Sequence, residues 1–200
     1  IKNHTKSKKS STSMIKAGTI DKGMFLLIKD EPYQVTEREF VKPGKGQAFV
    51  RVKLKNVRTG LVQKQVIKSH EQVEEITVEE EPAQYLYADD SDFHFMDTET
   101  YEQYTVPVAS FEDKKSFMKE GQTYEIVMWE TTPLDIIVPM KDVYEVTDAE
   151  EAVKGDTVTG ATKIVRVETG LEVKVPIFIK QGDRILVNTE SGEYVERVNT

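Results

Sequence analysis

The chain has 200 residues, 38% hydrophobic and 31% charged, with a formal net charge of -8 and no cysteine. Disulfides, thiolate metal sites and a cysteine nucleophile are thereby excluded. No apolar run approaches the roughly 18 residues that a membrane-spanning helix needs, so a cytoplasmic protein with no membrane partner is expected.

Residues 1–13 hold four lysines, no acidic residue and six Ser or Thr. This composition reads as a leader or tag without fixed structure, with Met14 as the native start. Strand signals then dominate: 23–28, 37–41, 47–55, 64–67, 74–79, 84–87, 93–97, 123–129 and 174–178 are rich in β-branched and aromatic residues, several with period-two alternation. One helix is expected over 108–119, carrying Phe111, Phe117 and Met118, and a weaker helical turn over 149–153. Breaks in the pattern divide the chain into 14–75, 76–141 and 142–200, each of about 60 residues, a size suited to a small closed barrel. The charge follows the same division. Residues 14–70 carry twelve Lys or Arg against five Asp or Glu, 71–141 four against eighteen, and 142–200 seven against twelve. A basic end joined to acidic ones can meet phosphate with that end alone.

The basic end holds the turn Lys42-Pro43-Gly44-Lys45-Gly46 between two strand-like runs. Pro43 sets φ for the second turn position, Gly44 is expected to take the positive φ that follows, and Gly46 adds no side-chain bulk. Lys45 is thereby presented at a slim tip. Taken alone, these lysines would be read as keeping a sheet edge soluble.

Other chemistry is sparse. His4, His70 and His94 have no partner at metal-ligand spacing and no serine nucleophile in a glycine-rich elbow. Asp89-Asp90-Ser91-Asp92 lacks the turn glycine and closing glutamate of an EF-hand and reads as a solvated turn, with His94 on the solvent face of a strand. No phosphate-binding or dinucleotide glycine motif is present. The expectation is a protein that is not an enzyme and carries no metal or cofactor.

The segment from Glu31-Pro32-Tyr33 through Phe40-Val41-Lys42-Pro43-Gly44-Lys45-Gly46-Gln47-Ala48-Phe49 resembles the first domain of bacterial translation elongation factor P. Tyr85-Leu86-Tyr87-Ala88-Asp89-Asp90 with Phe93-His94-Phe95-Met96-Asp97 resembles the start of that family's second domain. Gly155-Asp156-Thr157, Val175-Pro176-Ile177-Phe178-Ile179 and Gly192-Glu193-Tyr194-Val195 resemble its third. Coverage runs from about Met14 to Val198. One departure is Thr162-Lys163-Ile164-Val165, where many members read Thr-Lys-Pro-Ala.

The resemblance implies an all-β fold of three barrels, an SH3-like (KOW-type) domain followed by two OB-like ones. It implies a monomer that binds the ribosome between the peptidyl-tRNA and exit sites and relieves stalls at consecutive prolines. Lys45, lengthened by a lysine-modifying enzyme, would reach the acceptor end of the peptidyl-tRNA with Lys42, Pro43, Gly44 and Gly46 around it. Gly155, Asp156 and Thr157 would lie near the messenger codon in the exit site. Two other readings stay open: a paralogue with the same three-domain plan, and a general single-strand RNA-binding protein built on OB-like barrels. The second is weakened by the position of Tyr85, Tyr87, Phe93 and Phe95 in the acidic module.

Overall fold

The computed structural model describes residues 11–150 and 160–198, and within them sixteen strands form three antiparallel sheets. The all-β expectation holds. The first sheet contains β1 (Thr12–Lys16), β2 (Phe25–Ile28), β3 (Glu31–Val41), β4 (Phe49–Asn56), β5 (Val62–Lys68) and β6 (Gln72–Ile76), ordered β1-β6-β2-β3-β4-β5. Strand β4 shows the driving pattern: Val50, Val52 and Leu54 are buried while Arg51 between them is exposed.

Strand β1 starts inside the stretch expected to be an unstructured leader. Thr12 pairs with Ile76, its Oγ1 donates to Glu74 Oε1 at 2.7 Å, and Thr77 N donates to Ser11 O at 2.8 Å. A ladder uses backbone groups, so a Ser/Thr-rich composition can join one when a partner strand is at hand. The sheet then curls until its ends meet. A 3-10 turn at Ala17–Thr19 brings Ala17 N to Glu71 O at 2.8 Å and Gly18 N to Ser69 O at 2.9 Å, just past the end of β5. A Cβ on Gly18 would stand 3.2 Å from the Ser69 carbonyl oxygen, so this closure favours glycine.

The second sheet contains β7 (Glu79–Ala88), β8 (Asp92–Asp97), β9 (Gln103–Pro107), β10 (Thr123–Trp129) and β11 (Thr132–Ile137). The third contains β12 (Lys141–Ala149), β13 (Thr162–Val167), β14 (Glu172–Pro176), β15 (Arg184–Asn188) and β16 (Tyr194–Val198). Both have the same order, with the first strand in the middle, the second and third on one side, and the fourth and fifth on the other. In each, the first strand carries a register shift, between Tyr85 and Tyr87 or between Val146 and Asp148. Its N-terminal part pairs with the fourth strand and its C-terminal part with the second. A bulge at that point bends the strand so that it serves both halves of a curled sheet, as an OB arrangement requires.

The helix expected over 108–119 does not form. The segment is a 3-10 turn (Val108–Ser110), then Phe111 at φ -138° and ψ 31°, then one helical turn, α1 (Glu112–Lys115). Its side chains are claimed by three different neighbours. Phe111 and Met118 sink into the second core, Phe117 packs on the third, and Ser110 Oγ donates to Arg58 O at 3.2 Å in the first domain. A continuous helix presents one apolar stripe and could not serve all three. Of the expected turn over 149–153, Ala149 closes β12 and 151–153 lie outside the described residues.

The first domain keeps its own core around Leu26, Val35, Val50 and Leu54, but Phe25, Val57 and Ile76 join Phe93, Phe95, Ile126, Leu134 and Ile136 in a core shared with the second. Polar contacts reinforce this junction. Asp135 accepts from Gln34 Nε2 at 2.9 Å, from its neighbour Ile136 N at 2.8 Å, and from Lys114 Nζ, which also donates to Ile136 O. Both members of the Lys114–Asp135 pair are less than a quarter exposed. Substituting Asp135→Ala would leave the Lys114 ammonium with the Ile136 carbonyl but no counter-charge, and the Gln34 amide without its acceptor, in a half-dry setting. The expected cost is on the order of 2 kcal/mol in denaturant-induced unfolding. An unchanged midpoint would show that water already solvates the pair.

Candidate functional site

The candidate site is the tip of the β3–β4 hairpin, whose last ladder pair is Val41 opposite Phe49. Residues 42–48 have no regular structure; Lys42, Gly44, Lys45, Gly46 and Gln47 are exposed and Pro43 is half-buried. Neither Lys42 nor Lys45 makes an ion pair or hydrogen bond among the described residues. Positive φ falls on Gly46, at 101°, and not on Gly44 as the turn reading expects. The reason lies in the strand end. The β3–β4 ladder ends at Val41 and Phe49, while Ala48 still accepts from Ser69 N at 2.9 Å on the β5 side, so the reversal over 42–48 is wider than a tight turn and completes later. A Cβ on Gly44 or Gly46 would meet nothing within 4 Å, so the demand at Gly46 is conformational and that at Gly44 is not steric within the chain itself.

Beneath the tip, residues on one face align in rows across three strands: Val41, Phe49 and Lys68; then Glu39, Arg51 and Val66; then Glu37, Lys53 and Lys64. Arg51 Nη1 lies 3.1 Å from Glu39 Oε2 and Lys53 Nζ 2.9 Å from Glu37 Oε1. The hydrogen bond and charge of Lys53 hold the Glu37 carboxyl below its ordinary range. The Arg51 guanidinium also sits 5.4 Å from the centroid of the Phe49 ring. These pairs could have been foreseen from the matched spacing of Glu37 and Glu39 against Arg51 and Lys53. Their effect is to neutralise the base of the hairpin, leaving Lys42 and Lys45 at the tip and Lys68 on β5 without an ion pair or side-chain hydrogen bond among the described residues, while Lys64 adds its charge near Glu37. Such a tip can project one ammonium group toward an anion or a carbonyl oxygen, at no cost in broken contacts.

Gly155, Asp156 and Thr157 lie outside the described residues. His94 points away from the core, between the buried Phe93 and Phe95, as expected of the solvent face, but its ring has partners there. Its Nε2 lies 2.7 Å from Asp89 Oδ2 and its ring stacks on Tyr87, centroids 4.3 Å apart. Asp89 also caps its own turn by accepting from Ser91 N and Asp92 N, both at 2.8 Å, and the His94 contact with these bonds holds its carboxyl well below the usual range. The turn is a local hydrogen-bonded unit, and the described residues contain no group of three or more His, Asp or Glu arranged to hold a metal ion.

Each sheet matches a known domain family. Residues 16–73 match the elongation factor P (EF-P) KOW-like domain, 78–136 the elongation factor P (EF-P) OB domain, and 143–197 the elongation factor P C-terminal domain. Among curated relatives, elongation factor P of Treponema denticola is 52% identical over 187 residues, covering 94% of this chain and all of the relative. The Treponema pallidum protein is 50% identical over 186 residues, covering 93% and 100%, and that of Borrelia duttonii 51% over 189 residues, covering 93% and 98%. Among solved structures, eukaryotic translation initiation factor 5A from Methanococcus jannaschii aligns with 64% of this chain and 97% of its own, at a TM-score of 0.50 and 21% identity, a likeness of fold. With all three domains matched in order and half of the residues shared along nearly the whole length, the chain belongs to the elongation factor P family of translation elongation factors.

Proposed function

We propose that this protein binds the ribosome between the peptidyl-tRNA and exit sites in the cytoplasm and accelerates peptide-bond formation at consecutive prolines. The observation that carries this reading is Lys45, exposed at the end of the hairpin and without an ion pair or hydrogen bond among the described residues, above a base where Arg51 and Lys53 are ion-paired. Proline is a slow substrate because its nitrogen is secondary and its ring restricts the backbone. Lys45 would reach the acceptor end of the peptidyl-tRNA and favour an alignment of ester and attacking amine from which reaction proceeds. The gain is positional; the ribosome supplies the chemistry.

Lys42, Pro43, Gly44 and Gly46 would let the tip approach RNA closely, and Gly155, Asp156 and Thr157 would lie near the messenger codon in the exit site. A lysine-modifying enzyme would extend Lys45, adding reach. The absence of any contact that would have to break at Lys45 supports its access to such an enzyme. The acidic second domain, repelled by RNA phosphate, would act as a spacer.

The test is the rate of peptide-bond formation through three consecutive prolines on reconstituted ribosomes, with protein purified from its own host. Acceleration over the factor-free rate is expected, together with added mass on the peptide containing Lys45. No acceleration would overturn the reading.

A further inference from the structure

Phe178 stands in the turn after β14, beside the buried Ile179, with its own side chain 54% exposed. A single exposed phenylalanine is ordinary; its surroundings here are not. The Arg197 guanidinium, projecting from β16, lies 5.7 Å from the ring centroid and is only loosely tied to Asp183, at 4.0 Å. The side chain of Lys180, two residues on, has no hydrogen bond or ion pair among the described residues. Ile177 N donates to Ala161 O at 3.3 Å and Thr162 pairs with Pro176, so the aromatic turn borders the segment that enters β13. A solvent-facing ring with an arginine over it, in a turn beside the sheet, is an arrangement that can hold an unpaired base: the ring stacks, the guanidinium adds a planar cation, and a nearby lysine meets the phosphate.

We infer that Phe178 and Arg197 form a platform on which one unpaired RNA base stacks when the protein is on the ribosome. This rests on the ribosome-binding reading above. The base comes from the messenger or from ribosomal RNA, and the chemistry is the same for both.

The test is equilibrium binding of the full chain to ribosomes carrying peptidyl-tRNA, with messengers bearing either normal or abasic nucleotides in the exit-site codon. Phe178→Ala is expected to weaken binding about tenfold, at an unchanged melting temperature, and Phe178→Leu to weaken it as much. Phe178→Trp is expected to retain affinity and to show fluorescence quenching on binding beyond that of the native protein. If the abasic messenger weakens native binding but not Phe178→Ala, the base is the messenger's. If Phe178→Ala costs the same on both messengers, the base is ribosomal. Full affinity in Phe178→Ala overturns the platform, and full affinity in Phe178→Leu replaces it with apolar packing against a protein. If the native protein itself fails to bind, the ribosomal reading falls and the platform with it.

Discussion

Replacing Lys45 with alanine is expected to return synthesis through three prolines to the factor-free rate, while unfolding free energy moves by no more than about 0.5 kcal/mol. The two halves of this expectation have one cause. Lys45 is exposed and has no ion pair or hydrogen bond among the described residues, so they gain nothing from it; whatever it contributes must come from contact with something else. If the tip acts by holding the peptidyl-tRNA end in a reactive alignment, removing the group in contact removes the whole gain, because a shortened side chain cannot be compensated by Lys42 several residues away. Lys45→Arg separates charge from modification, since arginine keeps the cation and removes the amine that an enzyme could extend. Activity in the arginine variant equal to native would mean that a bare cation suffices. Activity in the alanine variant equal to native would remove Lys45 from the mechanism.

Why this tip was legible in the sequence and other features were not is a matter of which interactions are local. Proline and two glycines within five residues announce a reversal, and the alternation of Val50, Val52 and Leu54 with Arg51 and Lys53 announces a strand with one face in a core. What composition could not convey is which backbone groups find distant partners. The ladder that recruits Thr12 depends on β6, some sixty residues on, and positive φ falls on Gly46 in a reversal whose width is set by where the β3–β4 ladder ends, at Val41 and Phe49. The segment 108–119 was misleading for the same reason. Its apolar residues have helical spacing in part, but Phe111, Phe117 and Met118 answer to two domains. The role expected of Gly155, Asp156 and Thr157 rests on family resemblance alone, because they lie outside the described residues.

That same segment leads to the second large expectation: Phe117→Ala should lower proline rescue by at least tenfold while Lys45 and its hairpin stay intact. The ring of Phe117 packs on the third core, with Cζ 3.9 Å from where a Cβ on Gly192 would stand. Its carbonyl accepts from the hydroxyl of the fully buried Tyr144 at 2.7 Å, and the Ser116 carbonyl accepts from Thr169 Oγ1 at 2.6 Å. Lys119 completes the joint, with Nζ 2.9 Å from Asp142 Oδ2, 2.8 Å from Val143 O and 4.8 Å from the centroid of the Tyr144 ring. This short segment thus joins the second domain to the third, and it is itself rooted in the second core by Phe111 and Met118. Truncating Phe117 removes the apolar part of the fastening, worth on the order of 2 kcal/mol for a half-buried ring, and leaves both domain cores complete. If Lys45 works by position, and the third domain sets that position from the far side, a loosened joint spreads the tip over many placements; a misplacement of about 1 Å can cost about a hundredfold. Distances between spin labels on the first and third domains should broaden in Phe117→Ala, and the rescue rate should fall with them. Broadened distances with an undiminished rate would show that the tip finds its place without help from the third domain.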